Sequence, residues 1–210
     1  MTRPDLIALA EQERAELADL LRSLDPPQWS TESLCVGWSV RDVAVHVVSY
    51  DELPPPALVA CFLRGRLRLP RINDIVLRTY DGLDTDRVVD LVARNLRPRG
   101  VTSMLGGGIA LTDCTIHQQD IRRALGRPRS IPADRLLPAL RFALRAPALP
   151  AKRNAAGLKL IATDAEWTAG EGPEVAGPLE GLLMATAGRP DALADLTGAG
   201  LATLSARVSA

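Results

Sequence analysis

Between Leu6 and Leu144 the apolar side chains return in segment after segment at three- and four-residue spacing, broken only where prolines and glycines intervene. This periodicity collects them on one face of a helix and does not fit strand alternation, so this part of the chain reads as packed amphipathic helices. Residues 5–24 form the first, with Leu6, Leu9, Leu17, Leu20, Leu21 and Leu24 in register, and Asp25-Pro26-Pro27 stops it. Ser39 and Asp42 make a capping box that starts a second helix, which runs to about Tyr50 with His46 at its middle. Further helices are expected over 57–69, 71–80 and 84–96. The Gly106-Gly107-Gly108 run reads as a flexible lead-in to a long helix over 109–125, and Pro132 and Asp134 open another to about Leu144.

The pattern then changes. Pro147, Pro150 and Asn154 mark an expected boundary, giving domains at 1–148 and 149–210. Leu158 to Thr163 alternates as a strand, Glu166-Trp167-Thr168 suggests a second, and Pro173 to Ala176 forms a short extended piece. Pro178 opens a helix to Gly188, and the chain closes in short helices broken at Gly198 and Gly200. The C-terminal unit is α/β and too small to be stable without packing on a neighbour.

Composition removes several function classes. The 25 basic and 25 acidic residues cancel, whereas a dedicated nucleic-acid binder carries a basic surplus. Aromatic residues are 3 % of the chain, too few for base-stacking platforms. Cys35, Cys61 and Cys114 cannot all pair and form no C-x-x-C motif, which is the usage of a reducing compartment, and each reads as a small hydrophobe. Met1-Thr2-Arg3-Pro4-Asp5 lacks a signal-peptide core and no stretch is apolar enough for a membrane span, so a cytoplasmic protein with no membrane partner is expected. The arginine clusters at 64–71, 94–99 and 122–129 read as solvated faces, with attraction of an anionic ligand as the minority reading.

The chain has two histidines, His46 and His117, and any imidazole chemistry uses one or both. Asp113 and His117 stand four residues apart on one helix, so their side chains share a face. With His46 from another helix they make a two-histidine, one-carboxylate donor set, which leaves a metal position open to water or substrate. The plainer reading is a surface Asp–His pair and a core histidine. Asp42 and Asp120 each lie within a turn of a candidate ligand and can support it, or act as a helix cap and an ion-pair partner of Arg123.

Gly37-Trp38-Ser39-Val40-Arg41-Asp42-Val43-Ala44-Val45-His46 resembles the first signature of the mycothiol-dependent maleylpyruvate isomerase family, within the DinB-like helical-bundle superfamily. Asp113-x-x-x-His117-x-x-Asp120 through Gly126 resembles the second, and Gly157 through Gly188-Arg189-Pro190 resembles the family's small C-terminal domain. The resemblance implies a mainly α fold: a DinB-like four-helix bundle with a small C-terminal α/β domain. It matches the metal ligands to His46, Asp113 and His117, with Asp113 standing where the best-known isomerase has glutamate, and an assisting arginine to Arg189. It implies zinc or another divalent metal, mycothiol as the thiol cofactor, an electrophilic small-molecule substrate, and a monomer or homodimer. The expected activity is that of a mycothiol-using transferase or isomerase whose metal holds the thiol as thiolate; the alternatives are a non-catalytic metal-binding or ligand-sensing protein and a scaffold with core histidines. The lysine-poor, arginine- and alanine-rich composition fits a high-GC bacterium, in keeping with an actinobacterial thiol.

Overall fold

The computed structural model describes residues 4–209. The Met1-Thr2-Arg3 start, which bears on the signal-peptide reading, lies outside them. In chain order the helices are α1 (Leu6–Arg22), α2 (Pro26–Trp29), α3 (Val40–Glu52), α4 (Pro55–Arg64), α5 (Leu69–Arg78), α6 (Thr85–Arg94) and α7 (Gly108–Ala124). There follow α8 (Ala133–Ala143), α9 (Ala151–Asn154), β1 (Lys159–Ala162), β2 (Thr168–Ala169), β3 (Glu174–Gly177), α10 (Leu179–Thr186) and α11 (Leu201–Val208). Short 3-10 turns precede α7 and α11. No helix among the described residues is long and apolar enough to cross a membrane.

The chain divides into two compact units, one ending at Pro128 and the other beginning at Arg129. In the first, α1 packs on α6 and α7, and α3 packs on the same two, which closes a four-helix ring. Its core is Leu17, Leu21, Val43, Val47, Leu91 and Ile121, all 2 % exposed or less. Local chemistry explains the helix starts. The Asp5 carboxylate accepts from the Ile7 and Ala8 amides at 3.1 and 3.2 Å. Ser39 Oγ accepts from the Asp42 amide at 3.2 Å while Asp42 Oδ2 accepts from the Ser39 amide at 3.0 Å, which is the capping box expected from sequence. Pro26 and Pro27 do not only stop α1; they also start the single turn α2, where proline's missing N–H has no partner to lose.

The triple glycine is not a loose lead-in. Gly107 caps α7 with φ +89°, and a Cβ there would lie 2.8 Å from the Ile7 amide and 2.7 Å from its side chain. Only glycine lets the start of α7 lie this close to the first turn of α1.

In the second unit the strand order is β2-β1-β3, with β1 antiparallel to β2 and parallel to β3. Leu160 of β1 pairs with Val175 of β3, and both side chains are buried. On α10, Leu179, Leu182, Leu183 and Met184 are fully buried. Helix α8 packs on α10 in this unit, so the division falls well before the 148/149 boundary expected from sequence. The proline-rich stretch marks the change from helix to strand, and the loss of contacts comes at the Gly126–Pro128 turn after α7.

Candidate metal centre

His46 comes from the middle of α3, and Asp113 and His117 from α7, its neighbour in the ring. The structure brings all three together. His46 Nε2 lies 3.6 Å and His117 Nε2 3.5 Å from the same oxygen, Asp113 Oδ1. The two imidazoles meet edge to face with centroids 4.8 Å apart, and one donor atom from each of the three residues falls within 4.8 Å of the others. Donors on a tetrahedral zinc stand about 3.3 Å apart, given bonds of about 2.0–2.1 Å. The two His–Asp separations need only a few tenths of an ångström of adjustment, and this two-imidazole, one-carboxylate set is of the type that suits a divalent ion. Both histidines are nearly buried, whereas the Asp113 side chain is 33 % exposed and forms the open side.

Charge follows from this geometry. Burial pushes the Asp113 carboxyl up, but the charges and hydrogen bonds of His117 and His46 outweigh it and hold the group well below the usual carboxylate range. Burial opposes the charged form of His117, and Asp113, with hydrogen bonds to Asp113, Asp120 and Cys35, raises it well above an ordinary histidine. Asp113 is thus held as a carboxylate facing two imidazoles.

Asp120, fully buried, stands behind His117: its Oδ2 is 3.0 Å from His117 Nδ1. That contact turns the Nε2 edge of the ring toward Asp113. Asp120 Oδ2 also accepts from the Cys35 thiol at 3.0 Å, and Cys35 Sγ is 3.4 Å from His117 Nδ1. Cys35 was expected to be a simple buried hydrophobe; it is half-buried and hydrogen-bonded to the carboxylate behind His117. The loop carrying it is pinned by the Leu34 amide, which donates to the Asp120 carbonyl at 3.3 Å. Asp42, the other acidic candidate, serves α3 as its cap. Cys114, one step along from Asp113, lies in the bundle core as expected.

Two aromatic residues that the sequence reading did not single out as site residues wall the cleft. The Trp38 ring lies 4.8 Å from His46 and 6.2 Å from His117, centroid to centroid. Tyr50 meets His46 edge-on at 6.0 Å and donates its hydroxyl to Asn73 Oδ1 at 2.5 Å. Burial, followed by the Asp113 charge, pushes the Tyr50 phenol far up, so it remains a neutral donor. Its position four residues after His46 on one helix is the signal that could have found it. Arg189 belongs to the second unit, where it follows α10 and donates to the Ala187 carbonyl at 2.9 Å.

Residues 10–61 match the family model described as the mycothiol maleylpyruvate isomerase N-terminal domain, a stretch that includes His46 and ends before α7. Among curated proteins nothing matches. Among solved structures, the crystal structure of the mycothiol-dependent maleylpyruvate isomerase superposes with a TM-score of 0.57 at 16 % identity, covering 95 % of this chain and 96 % of that one. A histidine-to-alanine mutant of that isomerase superposes at 0.55 with the same identity and coverage. The chain therefore carries the sequence pattern of the mycothiol maleylpyruvate isomerase N-terminal domain, and its fold is that of the mycothiol-dependent maleylpyruvate isomerase.

Proposed function

We propose that His46, Asp113 and His117 hold a divalent metal, zinc in the first instance, and that the protein is a mycothiol-using transferase or isomerase. The observation that carries this reading is the convergence of the chain's only two imidazoles on one carboxylate oxygen in a half-open cleft. A bound zinc ion would supply the means to hold the cofactor thiol as thiolate at neutral pH, where a free thiol with a pKa of about 8.5 is mostly protonated. The rest falls to the protein. His46 and His117 would each offer Nε2 to the ion, Asp120 fixes the orientation of His117, and Trp38 and Tyr50 keep water from the closed side. The open side at Asp113 admits thiol and electrophile. In this reading Arg189 assists the chemistry, and Arg189→Ala lowers turnover with metal content unchanged.

The test begins with metal content of untagged protein after zinc incubation. About one ion per chain is expected, with His117→Ala losing the metal while the helical circular-dichroism spectrum is kept; a metal-loaded His117→Ala protein refutes the ligand assignment. Mycothiol consumption with a bimane electrophile then separates an enzyme from a sensor. The shorter Asp113, in place of glutamate, favours the sensor as the second reading, which predicts saturable thiol binding without turnover.

A further inference from the structure

The turn between α4 and α5 is one-sided in charge and carries exposed apolar side chains. No acidic residue occurs between Glu52 and Asp74, while Arg64, Arg66, Arg68 and Arg71 all do. Alternating with the arginines, Leu63 and Leu67 are 71 % and 75 % exposed. Arg66, Arg68 and Arg71 line a cavity of about 400 Å³. The leucines are not needed to hold the turn in place. Its base is fixed by a satellite core of Cys61, Ile72 and Val76 against Tyr50 and Leu53, and Gly65 brings the helices so close that a Cβ would lie 2.4 Å from the Ile72 side chain. Arg66 and Leu67 then take left-handed backbone conformations, at φ 54° and 57°.

The geometry points to this turn as a docking tip for an anionic lipid surface. Leucines and arginines side by side match the two layers of a bilayer boundary, with apolar side chains entering the acyl edge and guanidiniums remaining at the phosphates. Nucleic acid would reward the arginines but leave Leu63 and Leu67 in water. A folded acidic partner would need a hollow shaped to the tip, whereas a fluid bilayer moulds around a projection. The expectation of no membrane partner rested on the absence of a spanning stretch, and an interfacial tip needs none. The proposal is independent of the metal reading.

Co-sedimentation of the full-length protein with vesicles tests it. Phosphatidylcholine vesicles containing about a third phosphatidylglycerol should pellet the protein, pure phosphatidylcholine vesicles should not, and added salt should reverse the binding. Arg66→Ala and Arg68→Ala together should weaken partitioning about 25-fold, at roughly fivefold per arginine. Leu63→Gln with Leu67→Gln should weaken it about tenfold or more with the circular-dichroism spectrum unchanged. Equal binding to both vesicle types, no binding to either, or a solution dimer that protects Leu63 and Leu67 from labelling would overturn the proposal.

Discussion

Asp51→Ala should destabilise the bundle strongly, because it leaves the buried Arg14 charge without its carboxylate. The Arg14 and Asp51 side chains are both fully buried and meet at 2.5 Å. Arg14 also donates to the Asn95 carbonyl at 2.8 Å and the Val47 carbonyl at 3.1 Å, tying α1 to α3 and to the end of α6. Asp51 accepts in turn from the Arg99 amide at 3.2 Å and from the Thr102 hydroxyl. Alanine removes the carboxylate that faces the guanidinium, together with the acceptor shared by the Arg99 amide and the Thr102 hydroxyl. Breaking a buried pair in this way costs about 3–5 kcal/mol, a large share of the roughly 5–15 kcal/mol that holds a domain together. For a chain of this size each kcal/mol moves Tm by about 2–4 °C, so a fall of about 6–20 °C is expected. Urea denaturation followed by circular dichroism measures it directly. The joint change Arg14→Met with Asp51→Leu should recover much of the loss, since a well-packed apolar pair often replaces a buried ion pair without penalty. A loss below about 1 kcal/mol for Asp51→Ala would refute the reasoning, because it would mean that Arg14 reaches water when its partner is gone.

Two further outcomes follow from the site and the surface. Cys35→Ala should lower metal affinity by about 10–100-fold with little change in Tm, because Asp120, which orients His117, loses the thiol donor; Cys35→Ser should restore most of it, and equal affinity in all three proteins by competition with a chelator would remove Cys35 from the ligand support. Hydrogen bonding to Arg94, at 2.6 Å, is the main cause that holds the Glu52 carboxyl below its ordinary range. Its contribution is therefore complete above the unfolded-state value and lost as pH falls through the lower folded-state value. Because Arg94 is half exposed, a few tenths of a kcal/mol are at stake, and Glu52→Gln should flatten the stability slope below about pH 4.5 by that amount.

What could be read in the sequence was what is decided within one or two helical turns. The Ser39–Asp42 cap, the three- and four-residue apolar spacing and the Asp113–His117 pair are all local, and all stand where expected. The unit boundary was not local. Pro147 and Pro150 signal a change of secondary structure, but α8 joins the second unit through its packing on α10, which no neighbouring residue announces. Gly107 was misread for a related reason: a glycine run looks the same whether it is loose or pressed against Ile7, a hundred residues away in the chain.

His117 shows where local reading ends. Its ring has two nitrogens, and a metal ligand works only if the one facing away is held. Helical spacing names the partner at four residues, Asp113, for one nitrogen, and the partner at three, Asp120, for the other. Asp120 in turn accepts from Cys35, which lies 85 residues earlier in the chain, in a loop with no motif of its own. A cysteine flanked by Leu34 and Val36 reads as apolar filling until the Leu34 amide is seen bonded to the Asp120 carbonyl, which sets the thiol against the carboxylate. The donor set is thus legible as a list of residues, but its orientation is a tertiary property, and the metal affinity of Cys35→Ala measures that property apart from the list.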